Sequence, residues 1–368
     1  MSFAWLFFLI LIAFLSYFAQ DKYKNHNVSK ALLVLLLAFI TGFGGLTTAD
    51  HSQYVSIYKS YSSFSDFEFS FSTFFGRDNA YESGFILLMI ICNLIGLDEA
   101  GFFFVVALII NGAIIRYVYK QKRPVWTMWA VFVSGIIAVQ TNLIRQSLAL
   151  AFILLFFDAL SEGKYIKYII GVVLASLFHT SALFFLLFIP LCFIKSENGQ
   201  RVLNFVLLGL LFFSILIAIG LIQFDVLSLV DQLATYEKYL SADNDVGASQ
   251  RIAHSLIFSS MSLLVCLFLG KVDKNAATMI CIAAVISNIA VAYPNVGRLK
   301  CYFITLGYMA LVQYFGANQY AKKYEKAIIN GIQILFTLYF ISVILRTFVL
   351  TDAPPVFQEV YSLDKFFK

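Results

Sequence analysis

The sequence predicts an all-α fold, a polytopic bundle of membrane helices, and three observations carry that expectation. First, 61% of the 368 residues are hydrophobic and only 13% are charged, with a mean hydropathy of +0.84, whereas soluble domains carry about 25% charged residues. Second, apolar stretches follow one another almost from end to end, many of them near the roughly 20 apolar residues that a helix needs to cross the hydrocarbon core. Third, the charges between those stretches sort by sign onto opposite sides.

In chain order the spans are expected at 3–19, 31–47, 101–119, 125–140, 146–160, 166–178, 181–194, 203–222, 253–270, 276–292, 298–316 and 326–350, about twelve in all, several of them short and paired. The first has no basic residue ahead of it and is followed by Lys22 and Lys24. It therefore reads as a retained helix with its N-terminus outside, not as a cleaved signal peptide. The apolar stretch 84–97 is too short for a full crossing and is expected to be a re-entrant or interfacial helix of the outer leaflet. With that parity most cations, among them Lys22, Lys30, Arg116, Lys120, Lys164 and Lys274, fall inside, following the positive-inside rule. Most carboxylates, including Asp50, Glu82, Asp98, Glu99, Asp243 and Asp245, fall outside.

No linker or internal repeat divides the chain, so 1–368 is expected to be one polytopic domain with outer loops at about 48–83 and 223–252. The first loop interleaves Phe64, Phe67, Phe69, Phe71, Phe74 and Phe75 with Ser, Asp and Glu, a pattern suited to a segment lying on the interface. Loops of this length beside short connections are commonly functional. Most of the 40 Phe, 20 Tyr and 3 Trp are lipid-facing, packing or belt residues.

The net charge of +5 comes from cations scattered over short inner turns that set orientation, so no nucleic-acid partner is expected. The five cysteines lie within or beside apolar segments without CxxC or Cys/His ligand spacing, so no disulfide framework is expected. Asp243-Asn244-Asp245 looks like a metal-binding DxD, but three-residue patterns arise often by chance. No metal and no cofactor are assigned.

Against this apolar background a few residues could carry chemistry. Arg145 lies between two apolar segments in Asn142-Leu143-Ile144-Arg145-Gln146-Ser147-Leu148-Ala149. Arg near the hydrocarbon costs about 2.5–3.5 kcal/mol on insertion scales, which makes such residues functional candidates, and its planar fork suits phosphate oxygens. The plainer reading is an interfacial snorkel. His179, in Leu177-Phe178-His179-Thr180-Ser181-Ala182, falls at the junction of two short helices, where an imidazole could bind a diphosphate, act as a general base or cap a helix.

Asp50, Tyr54 and Tyr58 are spaced to share one helix face, and Glu82 closes the same loop. Such a face could hold a sugar hydroxyl beside a carboxylate ready to take its proton, or it is a solvated stripe. Arg251 follows the acidic second loop, which also holds Tyr239, and Arg298 opens a helix with Tyr302 one turn on. A helix start with an Arg beside it makes an anion site.

Taken together, Asp50 with Tyr54, Glu82-Ser83-Gly84-Phe85, Arg145-Gln146-Ser147-Leu148-Ala149, His179-Thr180-Ser181-Ala182 and Arg298 with Tyr302 resemble the EpsG family of bacterial polysaccharide polymerases, a Wzy-like branch, over roughly 30–350. The resemblance implies an architecture related to the membrane glycosyltransferase C-type. It also implies a multi-pass enzyme of the bacterial inner membrane that joins undecaprenyl-diphosphate-linked oligosaccharides at its outer face. Arg145, Gln146, Arg251 and Arg298 would then bind the donor diphosphate. Asp50 or Glu82 would be the general base, with His179 as a second candidate, and Tyr54, Tyr58, Tyr239 and Tyr302 would contact glycan. Lipid-linked oligosaccharides, membrane lipid and other polysaccharide-assembly proteins would be its partners.

Two rivals come from other classes. A flippase for the lipid-linked unit predicts charged or broken helices at mid-membrane and access from both faces, whereas the candidates here lie on one side. A membrane acyltransferase with His179 as base would draw its donor from the cytoplasm, where the sequence shows no His or carboxylate cluster.

Overall fold

The computed structural model describes residues 3–44, 51–67, 81–134, 140, 143–222, 248–268, 274–314 and 323–345. Among these residues every regular element is helical and none is a strand. Five helices are long and apolar enough to cross a membrane: α2 (His26–Gly44), α5 (Glu99–Lys120), α7 (Ile144–Ser161), α10 (Glu197–Ala218) and α12 (Lys274–Ala292). The remaining expected spans also fall on helices: α1 (Phe3–Phe18), α6 (Pro124–Val133), α8 (Tyr165–Ser176), α9 (Phe188–Cys192), α11 (Ala248–Phe268), α13 (Lys300–Leu311) and α14 (Lys323–Leu345).

Several of those are shorter than the apolar run that contains them. The stretch 181–194 becomes a 3-10 helix, Thr180–Leu187, followed by the five-residue α9. Pro294 opens a 3-10 turn, Pro294–Leu299, ahead of α13, and Pro124 is the first residue of α6; proline lacks the N–H that would continue a helix behind it. The apolar stretch at 84–97 forms α4 (Ser83–Leu94), 12 residues and so about 18 Å long, against a hydrocarbon core of about 30 Å. The first outer loop contains a helix, α3 (His51–Ser60), and a 3-10 turn, Phe64–Asp66.

The sequence reads as one domain, while its contacts gather into two compact units, Met1–Cys192 with Ile341–Lys368, and Phe193–Phe340. In the first unit α2 packs along α5, and α7 packs against both α5 and α8. The buried faces hold Leu33 and Leu37 of α2, Phe103, Val106 and Ile110 of α5, and Leu148 and Leu154 of α7. Lipid tails are as apolar as these side chains, so helix association in a membrane relies on close packing and polar links. Asn111, fully buried, supplies such a link: its amide donates to the Thr41 hydroxyl at 3.0 Å and to the Gln140 side-chain oxygen at 3.2 Å. At the α7–α8 interface Gly171 admits Phe156, which would overlap any Cβ built there.

The second unit repeats this logic around α12, which packs against α10, α11 and α13. Ala276, Ala277, Ala283 and Ala284 are buried along it, small residues that let neighbouring backbones approach. Asn288 of α12 is fully buried. It accepts from the Ser255 hydroxyl and, at 3.0 Å, from Ser259 of α11, and donates to Ser214 of α10 at 2.8 Å. One amide thus ties three helices together.

Candidate active site

Three segments of the first unit meet at the start of α4: the turn that opens it, the first turn of α7, and the turn 177–181 that follows α8. Glu82 occupies the N-cap position of α4, with extended backbone, yet its side chain makes no capping bond. Its carbonyl accepts from Phe85 and Ile86, while the carboxylate reaches away from its own helix. A guanidinium nitrogen of Arg145 donates to Glu82 Oε2 at 2.7 Å, and the Thr180 amide donates to Oε1 at 3.3 Å. The Glu82 side chain is 6% exposed and that of Arg145 25%, so the carboxylate is buried and the Arg side keeps the larger share of the pair's exposure.

Arg145 is the second residue of α7, a helix with no acid in its own first turn. Glu82 supplies that acid from 63 positions away, at the helix end where negative charge is favoured. Beneath the guanidinium lies the ring of Tyr81, 4.7 Å from its carbon, a cation–π contact that orients the plane of the fork. Tyr81 in turn meets Tyr54 edge-on at 6.2 Å.

His179 is the N-cap of the 3-10 helix Thr180–Leu187. Its Nδ1 accepts from the Ser181 amide at 3.3 Å and lies 2.8 Å from the Ser181 hydroxyl. With Nδ1 as the acceptor, a neutral ring carries its proton on Nε2. Nδ1 is also 4.0 Å from Glu82 Oε1, and the imidazole is 29% exposed. The capping role weighed from sequence is therefore present, and the ring stands beside the Glu82–Arg145 pair as well. Gln146, next to Arg145, is buried.

Other candidates sit elsewhere. Tyr58 is 2% exposed; its ring stacks on Phe102 at 4.8 Å, and its hydroxyl donates to the Leu97 carbonyl at 2.7 Å. It thus packs α3 against the start of α5 and presents no open glycan surface. Tyr302 is 1% exposed within the second unit and likewise presents no open glycan surface. Arg298 is exposed in the 3-10 turn ahead of α13. Arg251 belongs to α11, with its side chain outside the described residues, and Asp50, Tyr239, Asp243 and Asp245 lie outside them too.

A family model, described as the EpsG family, matches residues 27–352. The chain belongs to the EpsG family. This is the family of Wzy-like polysaccharide polymerases, and membership assigns this EpsG protein a membrane polysaccharide polymerase type of function. No curated protein and no solved structure matches the chain. The matched region contains the whole Glu82–Arg145–His179 cluster and both units' candidate residues.

Sequence reasoning did not single out Tyr81, the Thr180 amide or the Leu177 carbonyl, all of which hold this cluster. Tyr81 had one available signal: an aromatic residue adjoining a carboxylate suspected of function. The two backbone groups carry no side-chain signature and become visible only where α4 and the 177–181 turn touch.

Proposed function

We propose that this EpsG-family protein extends a surface polysaccharide by joining oligosaccharide units carried on undecaprenyl diphosphate, at the outer face of the bacterial inner membrane. The observation that carries the reading is the fixed guanidinium of Arg145. Glu82 holds it end-on, Tyr81 holds it face-on, and a quarter of its side chain remains exposed beside His179. A planar fork with five N–H donors can keep one on Glu82 and still offer others to phosphoryl oxygens.

In the transfer, the bond from the donor sugar's anomeric carbon to the diphosphate oxygen breaks, and its electron pair leaves with the diphosphate. A bond forms from that carbon to an acceptor hydroxyl oxygen, whose proton passes to a base. Arg145 stabilises the departing negative charge; losing one preorganised donor of this kind typically costs about 2.7–4 kcal/mol in the barrier. Both oxygens of Glu82 are engaged by Arg145 and Thr180, and the acceptor nitrogen of His179 by Ser181. This favours Asp50 as the proton acceptor, Glu82 as the group that positions Arg145, and His179 as an orienting group whose Nε2–H can donate to a phosphoryl oxygen. Gln146, Arg298 and Arg251 are separate candidates for diphosphate contact, each judged by its own alanine variant.

The test is purified protein in vesicles with lipid-linked repeat units. Wild type is expected to produce a ladder of products, while Arg145→Ala leaves single repeat units. A normal ladder from Arg145→Ala would remove the diphosphate role, and a single larger product from wild type would replace polymerase with a one-step transferase.

A further inference from the structure

Far from this cluster in sequence, a second cation-lined feature lies in the first unit. A cavity of about 540 Å3 is bounded by Asp21, Lys30, Ala31 and Val34 on one side and by Gly112, Ile115, Arg116, Tyr119 and Lys120 of α5 on the other. Three of these side chains are cationic, and two have carboxylate partners: Lys30 with Asp21 at 2.6 Å, and Lys120 with Asp158 at 2.9 Å. Arg116 is exposed and has neither a hydrogen bond nor an ion pair among the described residues. Among the described residues the lining therefore carries a guanidinium without a carboxylate partner.

The polar and apolar parts of the lining are ordered along the helices. Lys30 is near the start of α2 while Arg116 and Lys120 are in the last turns of α5, so the charged end lies where both candidate spans leave the hydrocarbon. Lys30 also rests over the Tyr119 ring at 5.4 Å, and the Tyr119 hydroxyl is fixed on the Ser16 carbonyl at 2.7 Å. Ala31, Val34 and Ile115 supply an apolar wall, and the same helix α2 exposes Val28, Leu32 and Leu35. Gly112 leaves a notch, since a Cβ there would meet nothing within 4 Å.

We propose that this cavity binds an anionic glycerophospholipid, its phosphate on Arg116 and its glycerol and upper acyl carbons along Ala31, Val34 and Ile115. A guanidinium fork matches phosphate oxygens, and basic pockets between membrane helices are suited to anionic headgroups. A free phosphate shares the charge but has no use for the apolar wall, which is why the lipid is the occupant.

The experiment uses the full chain purified in detergent, with native mass spectrometry and thermal unfolding as readouts. Dioleoyl phosphatidylglycerol is expected to be retained and to raise the unfolding temperature, while dioleoyl phosphatidylcholine and inorganic phosphate do neither. Arg116→Gln should weaken phosphatidylglycerol retention at least fivefold, and Arg116→Lys should keep part of it. Gly112→Leu fills the notch without changing charge; it should also weaken retention while leaving the lipid-free unfolding temperature at or above that of wild type, and it decides the matter if Arg116→Gln does not fold. Equal retention by both variants, equal retention of phosphatidylcholine, the same protection from inorganic phosphate alone, or a preference for polyprenyl phosphate over phosphatidylglycerol would each overturn the proposal.

Discussion

The Gly84 amide donates to the Leu177 carbonyl at 2.9 Å, and a Cβ on Gly84 would stand 2.7 Å from the Leu177 Cβ and 2.8 Å from its carbonyl oxygen. Two residues before Gly84 is Glu82, and two after Leu177 is His179. This backbone contact therefore sets the distance between the carboxylate and the 177–181 turn, and it requires a residue without a side chain.

Gly84→Ala tests that dependence. The methyl group meets backbone, which cannot swing aside, so α4 must withdraw from Leu177 and the Glu82–Thr180 bond must lengthen or break. Overpacking of this kind costs about 1–3 kcal/mol. A lower unfolding temperature with a shortened product ladder is expected; unchanged values for both would show that the turn accommodates a Cβ.

Glu82 and Arg145 should be strongly coupled. Removing one partner of a buried ion pair typically costs about 3–5 kcal/mol, because the other charge is left uncompensated. Glu82→Ala is expected to destabilise the protein by an amount near that range, moderated by the partial exposure of Arg145, and the Glu82→Ala/Arg145→Ala double variant should lose less than the two singles added together. Additive losses in chemical unfolding would mean that the pair contributes no interaction energy.

Glu82→Gln separates positioning from proton transfer. The amide keeps the shape, but its single carbonyl oxygen replaces two acceptors, so it can serve Arg145 or the Thr180 amide and not both in their present places, and it cannot take the proton of an acceptor hydroxyl. If Glu82 positions Arg145, polymerisation should fall mainly through weaker donor binding, seen as a raised KM. A fall confined to kcat would point instead to Glu82 as the base.

Tyr58→Phe distinguishes packing from glycan contact. Loss of the hydroxyl removes its bond to the Leu97 carbonyl, worth about 0.5–1.5 kcal/mol, so the unfolding temperature should drop while the KM for the acceptor stays the same. An acceptor KM raised severalfold with no change in stability would restore the glycan role.

In the second unit, Asn288→Ala removes three side-chain links at once. Interhelical hydrogen bonds in membranes average about 0.6 kcal/mol each, so a loss of about 2 kcal/mol is expected in chemical unfolding. A change below about 0.5 kcal/mol would show that the neighbouring serines find other partners.

The positions of the apolar helices among the described residues were legible in the sequence because the run of apolar residues that makes such a helix is local, whereas α3, with its polar composition, was read as part of a loop. Among the described residues each expected span falls at least in part on helical structure, and Pro124 and Pro294 mark where two segments begin. Arg145 and His179 stood out as polar groups beside apolar segments, and Glu82 as the carboxylate that closes the first outer loop. Chain pattern alone could not tell how many helices reach spanning length, since the 3-10 segment at Thr180–Leu187 shares the apolar composition of its neighbours.

The sequence by itself determined an all-helical membrane chain of the EpsG type and the residues worth suspecting, since hydropathy and side-chain chemistry belong to each residue wherever it lies. Only the tertiary structure decided which of them act together. It joined Glu82 to Arg145 across 63 positions and set Tyr81 under the guanidinium, and it turned Tyr58 inward to Leu97. The physical reason is that an ion pair or a ring stack depends on the separation of two groups in space, which the packing of α4, α7 and the 177–181 turn sets and no local pattern encodes.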